Sequence, residues 1–322
     1  MKLAVLTAPQ RFEVVEAPVP EAADDEVLVR VNACGVCASE LDIWLGRTDA
    51  SYPLYPGHEV SGTVVARGAE VTAFAPGDPV AVWATGRGFA EYVAVKADYC
   101  RPAGSVPLRE ALVEPLACSV NAVELADVRL GDDVVVIGAG FMGNLVQELV
   151  ALRGPRHVIV ADTRPDALER VAKLGATRVV DVRSESLPDV VAELTGGVGA
   201  DVTFEVTGAQ GPLETVGDVT RMSGKIVLVG YHQGEPRQIP LGQWNWMAFQ
   251  IVNAHFREVS TIMRGMSVGM RLVTSGRLSL EGLVTHAFPL ADINEAFATA
   301  VSKPDGFVKS TVVLDDLTAA DR

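Results

Sequence analysis

The chain has 322 residues, a length that exceeds a typical single domain and predicts two. Its 48% hydrophobic and 21% charged residues are the composition of an ordinary globular protein. A net charge of -14 argues against a nucleic-acid-binding surface, and no stretch approaches the ~18 continuous apolar residues of a membrane helix.

The first part of the chain is predicted to consist of short strands separated by turns. Apolar and polar residues alternate over Val27–Val31, which is typical of a half-buried strand. Together these strands predict a small β-barrel-like domain. They lie at Leu3–Thr7, Glu26–Ala33, Glu59–Ala66, Pro79–Trp83 and Tyr92–Val95.

From Cys118 onward, strand-like runs alternate with amphipathic segments of helix length, such as Arg164–Leu174. Short apolar strands that alternate with helices predict a parallel, doubly wound sheet. The strands are predicted at Val134–Ile137, Val158–Ala161, Val179–Val180, Val202–Val206 and Ile226–Gly230.

A glycine-rich motif follows the first strand of this second part. Gly138, Gly140 and Gly143 form the pattern G-x-G-x-x-G between the strand and a helical run. The first glycine allows a tight turn, the second lets backbone N–H groups reach a pyrophosphate, and the third permits close packing of helix on strand. Together with Phe141 and Met142, these glycines are predicted to bind a dinucleotide.

Asp162 ends the next strand, near the spacing of about 20 residues that this motif has. A carboxylate at this place accepts hydrogen bonds from the adenosine ribose and repels a 2′-phosphate, so the sequence favours NAD over NADP. Arg164 keeps NADP open as the alternative, because a nearby arginine can accept that phosphate. The alternative role of Asp162 is to cap a helix that begins near Pro165, and this role explains only in part why an acid occurs there.

The sequence predicts a reducing, cytoplasmic compartment. Of the four cysteines, Cys34 and Cys37 lack the context of a thioredoxin-like motif, and Cys100 and Cys118 lack paired spacing. We therefore expect no disulfide. The apolar run Met1–Leu6 is too short for a secretion signal and leads straight into a strand.

Cys37, the pair His58 and Glu59, and Glu114 supply a thiolate, an imidazole and carboxylates. A catalytic zinc takes three protein ligands of these types and keeps a fourth position open for water or substrate. His58 and Glu59 follow a Pro-Gly turn just before a strand-like run, which places them at a corner between loop and strand. Each residue alone is a weak signal.

These residues lie in three of four segments that occur in a particular order, followed by the dinucleotide motif at Gly138. The segments are Asn32–Asp42, Gly57–Val64, Pro76–Val80 and Glu114–Cys118. They resemble the zinc signature of the medium-chain alcohol and polyol dehydrogenases, and the resemblance extends to about Leu314. It implies an α/β protein with a discontinuous GroES-like β-barrel catalytic domain (1–117 and 258–322) and a doubly wound Rossmann domain (118–257).

The resemblance also implies a set of zinc ligands. Cys37 and His58 match two of them, and the third is Cys in alcohol dehydrogenases and Glu in polyol dehydrogenases. Glu114 takes that place here, with Cys118 as its rival. Glu59 either supports the site or exchanges into the coordination sphere. The four-cysteine lobe that holds a structural zinc in longer members is missing, so we expect one catalytic zinc and no structural zinc.

Five further residues match functional places in the family. Ser39 matches a hydroxyl proton relay, and Glu40 stands where an acid orients the zinc-bound histidine. Asp42 replaces a usual histidine, and as a carboxylate it would pass protons or bond a ribose hydroxyl. Arg257 resembles an arginine that contacts substrate hydroxyls, the alternative being a surface arginine. Lys309 resembles a residue that touches the cofactor phosphates, the alternative being a solvated strand residue.

The resemblance implies reversible oxidation of a secondary alcohol by NAD, with zinc as Lewis acid. A polyol, sugar or cyclitol is the small-molecule substrate that Glu114 and Arg257 favour, and a homo-oligomer is expected. Two rivals stay open. A zinc-free enone or quinone reductase of the same superfamily would lack Cys37 and His58, and a non-catalytic dinucleotide-binding protein would not need Ser39 together with the ligands.

Overall fold

The computed structural model describes residues 1–314. Contacts along the backbone divide the chain into two compact units. The first comprises Met1–Ala117 together with the chain from Ile262 onward, and the second comprises Cys118–Thr261. The domain limits expected from the sequence, with changes after residues 117 and 257, stay a prediction. Residues 315–322 of that prediction lie outside the described part.

Strands dominate the first unit, whereas strands and helices alternate in the second. The strands are β1 (Lys2–Ala8), β2 (Arg11–Glu16), β3 (Glu26–Gly35), β4 (Glu59–Arg67), β5 (Pro79–Trp83), β6 (Tyr92–Lys96), β7 (Cys100–Pro102), β8 (Asp133–Ile137), β9 (His157–Asp162), β10 (Arg178–Asp181), β11 (Ala200–Glu205), β12 (Thr220–Leu228), β13 (Gln250–Asn253), β14 (His286–Pro289) and β15 (Ser310–Val313). The helices are α1 (Ala38–Trp44), α2 (Glu114–Ala126), α3 (Phe141–Ala151), α4 (Pro165–Lys173), α5 (Leu187–Thr195), α6 (Gln210–Val219), α7 (Leu241–Trp246), α8 (Val259–Thr274) and α9 (Ile293–Ser302). None of the helices within residues 1–314 has the length and apolar character that crossing a lipid bilayer demands.

The first unit is built on a seven-stranded sheet in the order β14-β15-β3-β4-β5-β7, with β6 also paired to β3. Its core contains the rings of Phe12, Phe89 and Phe297, whose centroids lie 4.8 to 6.2 Å apart. Strands β3 and β4 are antiparallel, and Gly35 at the end of β3 lies opposite Glu59 at the start of β4. The segments that follow β3 and precede β4 therefore meet at one end of the sheet.

The second unit contains a six-stranded parallel sheet in the order β10-β9-β8-β11-β12-β13. This confirms the predicted doubly wound sheet. Every residue of the central strand β8 is buried, as expected for a strand covered on both faces. The chain changes direction across the sheet between β8 and β11, and ligands of such sheets bind outside the carboxyl ends of the strands at that point.

Five strands of the structure, β2, β7, β13, β14 and β15, were not predicted as strands. In β2 only Phe12 is buried, so the strand carries no alternating apolar pattern. Strand β13 lies at the edge of the parallel sheet and is largely exposed. Because periodicity marks a strand only where one face is buried, β2 and β13 escaped the sequence analysis. Strand β7 has only three residues, too few to show a period.

Candidate active site

The glycine-rich loop joins β8 to α3 in the second unit. Gly138 has a φ of 111°, and a Cβ there would crowd the methyl group of Thr207 at 2.8 Å. A Cβ at Gly143 would overlap the carbonyl oxygen of Gly138, so this glycine lets the helix approach the turn. Among the described residues, nothing lies within 4 Å of a Cβ built on Gly140. The geometry suits a pyrophosphate, whose binding stays a prediction.

Helix α3 begins directly at this loop. Phe141 is its first residue and is buried, and Met142 contacts the hydroxyl of Ser119 through its sulfur at 3.9 Å. The side chain of Asn144 donates to the carbonyl oxygens of Ala139 at 3.0 Å and Gly140 at 2.6 Å, which fixes the loop against the helix. The unpaired N–H groups of a helix's first turn favour an anion there. Contacts of Phe141 and Met142 with a cofactor stay predictions.

Asp162 ends β9 with its carboxylate turned toward the glycine-rich loop. Its Oδ2 accepts the N–H of Ala139 at 2.7 Å, and its Oδ1 accepts the N–H of Arg164 at 2.9 Å. The guanidinium Nε of Arg164 lies 3.5 Å from the same Oδ1. Asp162 therefore holds the loop in place in addition to any contact with a ribose. It also engages the arginine that is the alternative phosphate ligand.

A buried carboxylate at the carboxyl end of β11 escaped the sequence analysis. Glu205 is fully buried, accepts the N–H of Thr207 at 2.7 Å and lies 2.8 Å from Nε2 of His232. Because Thr207 packs against Gly138, this cluster supports the wall of the predicted cofactor crevice. Its one sequence signal is an acid at the end of a parallel strand, the same signal that marks Asp162.

Three potential metal ligands come together in the first unit. The thiol sulfur of Cys37, a ring nitrogen of His58 and a carboxylate oxygen of Glu59 all lie within 4.8 Å of one another, the one such group of three or more within residues 1–314. We call these residues the ligand group. Cys37 directly precedes α1, and His58 directly precedes β4. A thiolate, an imidazole and a carboxylate are the donors that zinc takes in proteins, so the residues fit this metal.

Glu40 orients the imidazole of His58. Its Oε1 lies 3.0 Å from Nδ1 of His58 and accepts the N–H of Gly57 at 2.7 Å. A proton on Nδ1 leaves the lone pair of Nε2 for a metal. Burial lowers the pKa of His58, but Glu40 and then Cys37 outweigh it, so this pKa is raised well above its usual value. Glu40 thus has the geometry that its predicted role requires.

The two other predicted residues of α1 have different surroundings. Ser39 donates from its hydroxyl to the sulfur of Cys37 at 3.2 Å, so it lies directly beside the ligand group. Asp42 instead faces the guanidinium of Arg47 at 3.5 Å. Proton transfer through Ser39 or Asp42 stays a prediction.

Lys309 is the buried partner of Glu59. Its Nζ lies 2.8 Å from Oε1 and 2.7 Å from Oε2 of Glu59, and its side chain is only 8% exposed. Burial lowers the pKa of Lys309, but Glu59 and then Cys37 outweigh it, so the pKa is raised and the ammonium stays charged. Lys309 thereby compensates the buried charge of Glu59 beside the ligand group. Its contact with cofactor phosphates stays a prediction.

Glu114 lies outside the ligand group. It is the first residue of α2, and its charge contributes to the raised pKa of Lys309, so its carboxylate lies near the ammonium. Lys309 thus acts on both acids that compete for the third ligand position, Glu59 and Glu114. Which acid binds the metal stays a prediction. Cys118, the rival of Glu114, lies in the second unit.

The remaining predicted residue, Arg257, and the cysteines Cys34 and Cys100 are not members of the ligand group. Arg257 is exposed, and its guanidinium donates to the carbonyl oxygen of Phe256 at 2.8 Å, so its contact with substrate stays a prediction. Burial, followed by the nearby acids, raises the pKa of Cys34 well above its usual value, and burial raises the pKa of Cys100 to about 12. A metal binds the thiolate, so these two are core thiols.

Two family patterns match the chain. The pattern described as alcohol dehydrogenase GroES-like domain matches residues 23–105, and the pattern described as zinc-binding dehydrogenase matches residues 142–270. The sorbitol dehydrogenase of Gallus gallus is 33% identical over 326 residues, which covers 88% of this chain and 88% of that protein. The chain belongs to the zinc-type medium-chain alcohol and polyol dehydrogenase family. The predicted family and the predicted pair of folds are thereby confirmed.

Two further proteins that this chain resembles are also named as dehydrogenases. L-galactonate-5-dehydrogenase of Escherichia coli (strain K12) is 26% identical over 350 residues, which covers 97% of this chain and 98% of that protein. The crystal structure of 2R,3R-butanediol dehydrogenase from Bacillus subtilis has a TM-score of 0.83 and 26% identity, covering 98% of this chain and 99% of that one. The chain is therefore an alcohol or polyol oxidoreductase, and neither rival function is favoured.

Replacing Lys309 by Met should destabilise this dehydrogenase by about 3–5 kcal/mol, because it leaves the carboxylate of Glu59 buried without its partner. Urea unfolding followed by circular dichroism measures the change. Lys173→Met is the matched control, since Lys173 pairs with Glu169 on the surface and its loss should have no measurable effect. Equal stability of Lys309→Met and the unchanged protein would contradict the role assigned to this pair.

Proposed function

We propose that the protein is a zinc-dependent, NAD-preferring dehydrogenase that reversibly oxidises a secondary alcohol of the polyol class to a ketone. The observation that carries this proposal is the ligand group, in which Cys37, His58 and Glu59 offer a thiolate, an imidazole and a carboxylate within 4.8 Å. A cluster of this composition beside a hydroxyl side chain suits alcohol oxidation. One metal per chain is proposed, since the sequence lacks the cysteine quartet of a structural site.

Cys37, His58 and one of the acids Glu59 and Glu114 would hold the zinc. Its chemistry is that of a Lewis acid, which polarises the oxygen of the alcohol and favours loss of its proton. Glu40 favours the proton of His58 on Nδ1, which would leave Nε2 to bind the metal. Lys309 restrains Glu59 and thereby influences which of the two acids is available to bind the zinc.

Ser39 is proposed to receive the proton of the alcohol. Its hydroxyl lies 3.2 Å from the sulfur of Cys37 and lines the same cavity as His58. A hydroxyl group both donates and accepts, so it can take a proton from the substrate while passing its own onward. Asp42, also on α1, is a proposed later acceptor.

The glycine-rich loop and Asp162 are proposed to bind NAD. The loop leaves space beside Gly140, and the carboxylate of Asp162 stands at the loop where an adenosine ribose would meet it. Its negative charge disfavours the 2′-phosphate of NADP. The nicotinamide supplies the hydride chemistry, and the protein supplies binding and orientation.

The polyol class is proposed from the relatives and from two residues. The names of the matched proteins include sorbitol, galactonate and butanediol dehydrogenases. Glu114 matches the ligand of polyol types, and Arg257 is an exposed donor for a second hydroxyl.

A cytoplasmic location also stays a prediction.

Self-association is proposed as well. Strand β13 lies at the edge of the parallel sheet, where its backbone N–H and C=O groups can pair with another strand. Ile251 on β13 is 46% exposed and Trp246 just before it is 80% exposed. Exposed apolar side chains beside a sheet edge are typical of association surfaces.

Elemental analysis should find one zinc per chain, and Cys37→Ala should lose both zinc and activity while it remains folded, because the site does not form the core. Cys118→Ala is the control and should keep its zinc. Two zincs per chain would contradict the single site. Global unfolding of Cys37→Ala would show that the metal is structural instead.

NAD should have a higher kcat/KM than NADP, and Asp162→Ser should narrow or invert that preference. The substitution removes the negative charge and releases Arg164 for a phosphate, while the serine oxygen can still accept a hydrogen bond. Asp181→Ser is a matched control, because Asp181 ends β10 directly beside Asp162 and also bonds a nearby arginine. A native preference for NADP would contradict the role of Asp162.

Glu114→Ala should lower kcat/KM on the order of 100-fold, as loss of a metal ligand or its close support does. Cys118→Ala should change it little. Glu59→Ala, measured for activity and zinc content, separates the two acids. A severe loss in Glu59→Ala with a mild one in Glu114→Ala would make Glu59 the third ligand and contradict the assignment of Glu114.

A further inference from the structure

A cavity of about 410 Å³ opens beside the ligand group, wholly within the first unit. Ser39 and His58 line one end of it. The other walls are mainly apolar, with Ile43 from α1, Leu54 from the following loop and Trp83 from β5. Its volume is within the range of small-molecule sites, about 300–1,000 Å³. The end that contains the hydroxyl and the imidazole is the end at which an alcohol would react.

The apolar walls are held in place by bonds that do not involve a ligand. Tyr52 donates from its hydroxyl to the carbonyl oxygen of Ile43 at 2.6 Å, which ties α1 to the loop. Leu54 and Leu6 exchange two backbone hydrogen bonds of 2.9 Å. The ring of Trp83 packs on Tyr99 with centroids 4.9 Å apart. The cavity is therefore preformed, and its apolar surface belongs to the folded protein.

The polar side chains at the reactive end have partners, except that the buried Oε2 of Glu40 accepts no hydrogen bond from the described residues. Glu40 accepts from Gly57 and faces His58, and Ser39 donates to the sulfur of Cys37. Along Ile43, Leu54 and Trp83 the cavity surface is mainly hydrocarbon and ring faces, while Tyr55 and Thr85 add hydroxyl-bearing side chains elsewhere in the lining. A hydroxyl placed against the hydrocarbon and ring faces would lose its hydrogen bonds to water without replacement, whereas an apolar group would be favoured there.

We propose that this cavity binds an alkyl or aromatic substituent of the substrate. The preferred substrate is then a secondary alcohol or short vicinal diol that ends in one compact apolar group, and a fully hydroxylated hexitol is disfavoured. This inference rests on the proposed function, because it assumes that the alcohol reacts beside the ligand group. It narrows the polyol class to members with few hydroxyls.

The first test compares substrates on the zinc-containing enzyme with NAD. We expect kcat/KM for 1-phenyl-1,2-ethanediol to exceed that for sorbitol at least about 10-fold, since one methylene equivalent in an apolar pocket already gives about that factor. Sorbitol equal to or better than the phenyl diol would overturn the inference while leaving the proposed function intact.

A pair of variants tests whether the preference for the phenyl diol depends on the apolar wall of the cavity. Leu54→Asn places an amide in the apolar wall and should lower the ratio of kcat/KM for the phenyl diol to that for sorbitol about 10-fold. Leu45→Asn is the matched control, because Leu45 is a partly buried leucine of the same core that does not line the cavity. In Leu45→Asn the ratio of kcat/KM for the phenyl diol to that for sorbitol should not change. Equal ratios in both variants would overturn the inference, and thermal melts show whether each variant is folded.

Binding without turnover separates the inference from the proposed function. Trp83 lines the cavity, so acetophenone, the ketone of a phenyl alcohol, should quench tryptophan fluorescence in the unchanged protein and much less in Trp83→Phe. Quenching that depends on Trp83 in a protein that oxidises none of the alcohols would support the cavity assignment and overturn the proposed function. Quenching that is unaffected by Trp83→Phe would overturn the cavity assignment.

Discussion

The ion pair between Glu59 and Lys309 is the constraint on which the geometry of the ligand group depends. Both charges are buried, and a buried pair persists only when its geometry is good. Gly35 makes room for it, because a Cβ at that position on β3 would overlap the carboxylate of Glu59. Since His58 adjoins Glu59 in the chain, fixing the carboxylate also fixes the start of β4 and the approach of the imidazole to Cys37.

Carboxylates organise the second unit in a comparable way. Asp162 ends β9 and Glu205 ends β11, the two strands that flank β8 in the parallel sheet. Asp162 accepts the N–H of Ala139 in the glycine-rich loop, and Glu205 accepts the N–H of Thr207 in the loop that follows its own strand. Such bonds between a charged acceptor and the backbone are among the stronger hydrogen bonds in proteins. The acids thereby hold the glycine-rich loop and Thr207 in one arrangement at the carboxyl ends of β8 and β11.

The first unit joins two chemically different surfaces. The ligand group, Ser39 and Glu40 form a polar end, and the cavity beside them is mainly apolar. This division suits a substrate that reacts at a carbinol and is otherwise poor in hydroxyls. Helix α1 contributes to both surfaces, because it carries the hydroxyl of Ser39 on its first turn and the apolar side chain of Ile43 on its second.

The sequence by itself determined the parallel sheet and the glycine-rich loop, because these depend on local periodicity and on a motif of fixed spacing. Through the family resemblance it also singled out Cys37, His58 and Glu59, but with Glu114 preferred as the third ligand, whereas the structure groups Glu59 with the other two. Only the tertiary structure decided that Lys309 neutralises Glu59, which lies 250 positions earlier in the chain, and that His232 meets Glu205. It likewise assembled the apolar cavity from α1, a loop and β5. Such contacts depend on which surfaces meet when the strands pair, and no local pattern of residue types records that.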